Sequence, residues 1–201
     1  MGRTLRPLAW YKSLTRVEDR LEKGFFLVEG ERAVRQIIQT RPSAVDELVG
    51  VNQDHRLGDY PFRLLSHQQF ARVAGSRTPQ GIMAVVGLPL QTYSRQLPPN
   101  PGNRVLLLED VQDPGNTGTL VRTAAALGFS GIILSSGCAD PFSPKCVQAA
   151  AGSVLSIWLR RNADYLQMAE ALCRAGYRLI ATTPAGSTGI EMLHTLSLIH
   201  I

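Results

Sequence analysis

Apolar residues recur at helical spacing over residues 31–40, ERAVRQIIQT, where Ala33, Val34, Ile37 and Ile38 share one face; an amphipathic helix is predicted there. Ahead of it, GFFLVEG at 24–30 is a short apolar run between glycines and predicts a strand. Residues 6–22 predict a basic helix. VDELVGV at 45–51 and FRLLS at 62–66 predict strands, SHQQFARVAG at 66–75 a helix capped by Ser66, and TPQGIMAVVGLP at 78–89 a turn and a last strand. Short helices and strands alternating over 90 residues fit a small α/β domain.

Beyond residue 103 the pattern becomes regular. RVLLLEDV, SGIILSS, SIWLRR and YRLIATT read as buried strands. Between them lie NTGTLVRTAAALG, a helix closed by Gly128, SPKCVQAAAGSV, a helix with Ser143 as cap and Pro144 in the first turn, and ADYLQMAEALCRAG, ending at Gly176. This βαβαβαβ succession predicts a parallel sheet with right-handed crossovers. Between the halves, LPLQTYSRQLPPNPGNR carries four prolines, which join neither ladders nor helix interiors. The expected division is therefore 1–90, a linker at 91–103, and 104–201. The tail PAGSTGIEMLHTLSLIHI stops where more strand and helix would be expected, so the chain reads as a fragment or LSLIHI as foreign sequence.

Charge changes this picture. The net charge is +5, and residues 1–90 carry 13 Lys and Arg against 9 Asp and Glu, with only two of the thirteen being Lys. Arginine's planar fork suits phosphate, so an Arg-rich N-terminal part points toward nucleic acid, and a solvated surface is the plain alternative. Three cysteines and four histidines show no zinc spacing, so no metal is expected. No run is long and apolar enough for a membrane span and no secretory signal opens the chain; a soluble, cytoplasmic protein is expected.

Candidate chemistry concentrates where LLLEDV breaks at Asp113-Pro114-Gly115-Asn116 and runs into a helix. Neither G-x-G-x-x-G nor G-x-x-x-x-G-K-[ST] is present, which speaks against dinucleotide binding and NTP hydrolysis. Asn116 stands where a cap is expected, Gly115 and Gly118 permit close approach of a ligand or another backbone, and the helix N-terminus suits an anion. Arg122 lies about 9 Å further along the helix, within reach of the loop through its long stem. Plain capping for Asn116 and a surface role for Arg122 remain open. Glu29 is expected to be structural, its carboxylate near a helix N-terminus.

EDVQDPGNTGTLVRTAAALGF matches the pattern D-P-x-N-x-G-x-x-x-R-x-A-x-x-x-G and resembles the first signature motif of the SpoU (TrmH-type) RNA 2′-O-ribose methyltransferases of the SPOUT superfamily. RTLRPLAWYKSLTRVEDRLEKGFFLVEGERAVRQII resembles that family's N-terminal substrate-binding domain, related to a ribosomal-protein RNA-binding fold; SRTPQGIMAVV and DPFSPKCVQAAAGSVLSIWL follow in the family's order. The resemblance covers roughly residues 3–190. It implies a small N-terminal α/β RNA-binding domain followed by a parallel-sheet SPOUT (α/β knot) domain. The later family motifs, a G-x-E-x-x-G loop and an S-L-N-x-S-x-A helix, do not occur in these 201 residues, so the resemblance implies a domain lacking its C-terminal knot.

The implied activity is S-adenosylmethionine-dependent 2′-O-ribose methylation of structured RNA, ribosomal rather than transfer RNA, by a homodimer when full length. Asn116 and Arg122 take the catalytic roles by resemblance. Arg3, Arg6, Lys12, Arg16 and Arg20 are expected to grip RNA backbone, and Ser153, after Gly152, to line the RNA site. Thr182 and Thr183 end a strand, where ligands of open α/β sheets bind, and the family's cofactor abuts this region. Two rivals stand beside this reading. One is a non-catalytic RNA-binding protein, or an inactive fragment of such an enzyme. The other is a nucleotide-dependent oxidoreductase, which the missing G-x-G-x-x-G disfavours.

Overall fold

The computed structural model describes residues 5–76, 78–181 and 198–200. Its chain opens on two helices, α1 (Leu8–Ser13) and α2 (Val17–Lys23), where one was expected over residues 6–22. Local side chains compete for the backbone at the break: the Ser13 hydroxyl donates to the Trp10 carbonyl and the Thr15 hydroxyl to that of Lys12. Arg20 completes the break by donating to the Leu14 and Thr15 carbonyls, each at 2.9 Å.

The first sheet collects β1 (Phe25–Glu29), β2 (Val45–Gly50), β3 (Phe62–Leu64) and β4 (Ile82–Gly87) in the order β1-β4-β2-β3. β4 runs antiparallel to β1 and β2, while β3 is parallel to β2. Two helices accompany it, α3 (Glu31–Thr40) and α4 (His67–Val73). Ser66 caps α4 as expected, in a reciprocal box with Gln69.

The second sheet is parallel throughout. β5 (Val105–Leu108), α5 (Pro114–Ala126), β6 (Gly131–Ser135), α6 (Pro144–Ala149), β7 (Trp158–Asn162), α7 (Tyr165–Arg174) and β8 (Leu179–Ala181) follow in succession, with Leu198–His200 as β9. The order is β7-β6-β5-β9-β8, and β5 and β6 are wholly buried, as apolar runs in a parallel sheet should be. The helix expected over residues 143–154 ends early: Ala151 and Gly152 turn left-handed, and a 3₁₀ turn, Ser153–Leu155, follows.

One apolar core joins the halves. Phe26 and Val28 of β1 share a cluster with Leu106 and Leu108 of β5, and the Phe26 and Phe142 rings lie 4.8 Å apart. The proline-rich stretch runs along the edge strand β7. There its carbonyls accept hydrogen bonds from Arg160 (to Gln96, 2.7 Å) and Trp158 (to Pro101, 2.9 Å).

Gly118 sets the spacing of α5 against α6. A Cβ there would lie 2.3 Å from the Cys146 carbonyl oxygen and 2.7 Å from Ala149 Cβ. The backbone that approaches is thus α6. In an unconstrained helix Gly→Ala gains about 0.5–1 kcal/mol. Here Gly118→Ala should instead destabilise by about 1–3 kcal/mol, because a backbone carbonyl cannot step aside without moving its helix. Urea unfolding measures the sign; a stabilised variant would show that α6 yields freely.

Candidate active site

The carboxyl end of the parallel sheet, where open α/β folds bind ligands, begins at the end of β5. Asp110 adopts a left-handed conformation, φ 53°, uncommon for a residue with a side chain. Ser135, ending β6, holds it there: the Ser135 hydroxyl accepts from the Asp110 N–H at 3.0 Å and donates to Asp110 Oδ1 at 2.7 Å. Gly137 makes room, since a Cβ there would lie 2.1 Å from the same oxygen. Beside Asp110, Glu109 accepts a hydrogen bond from the Tyr165 hydroxyl, which pushes that phenol up to about 12. Arg161, from β7, donates to the Ser136 and Cys138 carbonyls and ties the β6–α6 loop to the sheet.

α5 starts differently from the expectation. Asp113, not Asn116, is its cap: Oδ1 accepts the Asn116 N–H at 2.9 Å, and Pro114 occupies the first helical position, where no N–H is needed. The other carboxylate oxygen takes the Lys145 ammonium at 2.8 Å. Lys145 and the Asn116 N–H together hold the Asp113 carboxyl below its ordinary range. A Cβ on Gly115 would lie 2.8 Å from Asp113 Oδ1, so that glycine accommodates the chain's own carboxylate. The anion seat at this helix N-terminus is therefore already filled, and an external phosphate has no place in it.

Asn116, relieved of capping, is exposed, and so is Arg122. Thr117, Gly118, Val121 and Ala124 form the buried side of α5, and Asn116 and Arg122 stand on the two flanks of its exposed side. No hydrogen bond or ion pair among the described residues engages either side chain.

The expected RNA contacts separate into groups. Arg6 lies over the Trp10 ring, 4.2 Å from its centroid, and pairs with Asp46 and Glu47, so its own domain uses it. Lys12 is exposed, and Arg16 is exposed while pairing with Asp19. Arg20 must be corrected: it is 1% exposed, its guanidinium bonded to two carbonyls and to Asp140 Oδ2 at 2.8 Å, so it cannot grip RNA. Ser153 is half-buried after Gly152, where a Cβ would lie 2.7 Å from the Ala33 carbonyl of α3. Arg3, Thr182 and Thr183 lie outside the described residues. Glu29 serves a loop rather than a helix start, accepting the Gly75 and Ser76 N–H groups at 2.9 and 3.2 Å. Residue spacing alone missed Lys145 and Asp140, which reach their partners from distant sequence. The Asp-Pro pair at 113–114 was the available signal for the true cap.

Residues 103–197 match the model of the SpoU rRNA Methylase family. Over 157 residues the chain is 34% identical to the 23S rRNA (guanosine(2553)-2'-O)-methyltransferase of Bacillus subtilis, covering 76% of this chain and 60% of that protein. A TrmH-family structure from Porphyromonas gingivalis superposes with a TM-score of 0.80 at 26% identity, covering 100% of this chain and 81% of that one. An AdoMet-bound rRNA methyltransferase from Sinorhizobium meliloti gives 0.77 at 27% identity, covering 100% and 78%. The chain spans 60%, 43% and 59% of the lengths of three curated relatives it matches.

Proposed function

We propose that this chain, which belongs to the SpoU rRNA Methylase family through residues 103–197, takes part in methylating a ribose 2′-oxygen of RNA with S-adenosylmethionine as donor. Residues 1–90 would hold the RNA, 91–103 would link, and 104–201 would carry the methyl transfer. The observation that carries this reading is Arg122. It is an exposed arginine with no acidic partner among the described residues, set with Asn116 on the helix that leaves the carboxyl end of the sheet.

A ribose hydroxyl is barely acidic at neutral pH, so its attack needs alignment and stabilisation of the charge that grows on oxygen. Arg122 would supply that stabilisation through its N–H donors. A guanidinium does not surrender its proton near neutrality, so the base is a separate group. Asn116 would hold the ribose, or the arginine itself, through its amide. The exposed carboxylates of Glu109 and Asp110 suit the sulfonium and ammonium charges of S-adenosylmethionine by their opposite charge. They would hold the donor with Thr182 and Thr183. When bound, that donor supplies an electrophilic methyl group.

Ribosomal RNA is favoured over transfer RNA because the Bacillus subtilis relative is named for 23S rRNA. The test uses tritiated S-adenosylmethionine and protein-free ribosomal RNA. Label should appear in alkali-resistant dinucleotides, since a methylated 2′-oxygen blocks hydrolysis at that linkage. Label confined to bases would overturn the ribose assignment. RNA binding without label would favour the non-catalytic reading.

A further inference from the structure

A cleft of about 400 Å³ opens between the two halves, alongside the start of α5, with a volume in the usual range for ligand sites, about 300–1,000 Å³. Its inner lining is apolar: Leu27, Val73 and Met83 from the first sheet and α4, and Pro144 from α6. Thr78 and Gln148, both exposed, add hydrogen-bonding groups from opposite walls. An apolar floor with polar groups around it suits a partly polar molecule.

The cleft is built in advance. Glu29 fixes one wall by accepting the Gly75 and Ser76 N–H groups and the Ser76 hydroxyl. Gly75 lies against α6; a Cβ there would be 3.2 Å from Pro144 Cβ. On the other wall Lys145 reaches Asp113, the cap of α5, so the cleft adjoins the helix that carries Asn116 and Arg122.

Charges of both signs line the cleft: the Lys145 ammonium, and the Glu29 carboxylate that the Gly75 and Ser76 N–H groups engage. Thr15 also lines the cleft, and its chain neighbour Arg16 is exposed. Arg16 and Lys23 both pair with Asp19. Phosphate suits the exposed Lys145 and Arg16 groups, and an unstacked base suits the apolar residues of the interior with polar groups at their edge. Single-stranded RNA is read in this way, base by base, through base edges.

We infer that this cleft seats one unpaired base of the RNA, from a nucleotide flanking the ribose that meets Arg122, with Thr78 and Gln148 contacting its edge. The inference rests on the methylation reading for its ligand. It adds the place where sequence context is sensed, outside the reacting groups.

Filter binding of protein-free ribosomal RNA to the whole chain tests it. Gln148→Trp fills the cleft from an exposed position and should weaken RNA binding about ten-fold, the scale of losing one base-edge contact. Thr78→Trp, from the opposite wall, should do the same, which guards against a local fault in α6. Gln91→Trp is the control: it lines a separate cavity of about 510 Å³ bordered by Trp158 and Arg160, and should leave affinity unchanged. Circular dichroism establishes that all three fold. Wild-type binding with unchanged affinity in both cleft variants would overturn the base-seating cleft and leave the methylation reading intact. Equal loss in the Gln91 control would also overturn it, by showing an effect that is not local. A wild-type chain that binds no RNA would overturn both.

Discussion

Replacing Arg122 by alanine should cut methyl transfer to RNA by about 10²–10³-fold, the usual loss when one donor to a developing oxyanion is removed. Stability should stay within about 0.5 kcal/mol of wild type, because Arg122 is exposed and engages no described residue. The kinetic signature is specific. A contact made only in the transition state lowers kcat and kcat/KM together, whereas a phosphate-gripping arginine would mainly raise KM for RNA. Arg122→Lys should fall between, keeping charge but losing the planar fork. Single-turnover transfer with saturating RNA measures the first quantity; unchanged rates in Arg122→Ala would remove the residue from the chemistry. Asn116 becomes easier to interrogate for the same reason. Since Asp113 caps α5, a loss of activity in Asn116→Ser cannot be ascribed to a lost cap.

The alternation of apolar and polar residues foretold the elements wherever an element buries one face against a continuous core. β1, α3 and β4 in the first half, and β5, β6 and α7 in the second, lie where the spacing put them. The misses share a cause. The break between α1 and α2 depends on carbonyls satisfied by Arg20, whose other anchor, Asp140, lies 120 residues away. The early end of α6 depends on Gly152 admitting a carbonyl of α3 from the other half of the molecule. Neither contact leaves a periodic trace in its own neighbourhood.

The site was legible as a motif before it was legible as physics. D-P-x-N-x-G-x-x-x-R marked the right helix through family resemblance, yet spacing alone gave the cap to Asn116, the wrong member. The aspartate is the cap, the asparagine is released to the surface, and the second glycine admits another backbone, that of α6, one of the two approaches its spacing allowed. What the motif could not announce was Lys145, which neutralises the capping carboxylate from 32 residues further on. Arg161, which steadies the loop before α6, was likewise invisible.

Arg20 separates the two kinds of reading most sharply. As an RNA contact, its loss would weaken RNA binding at constant stability. As the structure has it, Arg20→Ala strands the Asp140 carboxylate, whose side chain is 11% exposed, and removes the donor from the Leu14 and Thr15 carbonyls. Breaking a buried pair from one side costs about 3–5 kcal/mol, against the 0–1 of a surface pair. At about 2–4 °C per kcal/mol for a chain of this size, Tm should fall by roughly 6–20 °C. The double variant Arg20→Met/Asp140→Asn should recover much of that loss, since two charges removed together leave neither alone in the interior. The Tyr93 hydroxyl and the Phe142 N–H remain there to bond the new amide. A thermal melt of the two variants beside wild type decides the matter. An unchanged Tm in Arg20→Ala, with weakened RNA binding, would return Arg20 to the RNA surface and would mean that α2 and the β6–α6 loop are not joined through it.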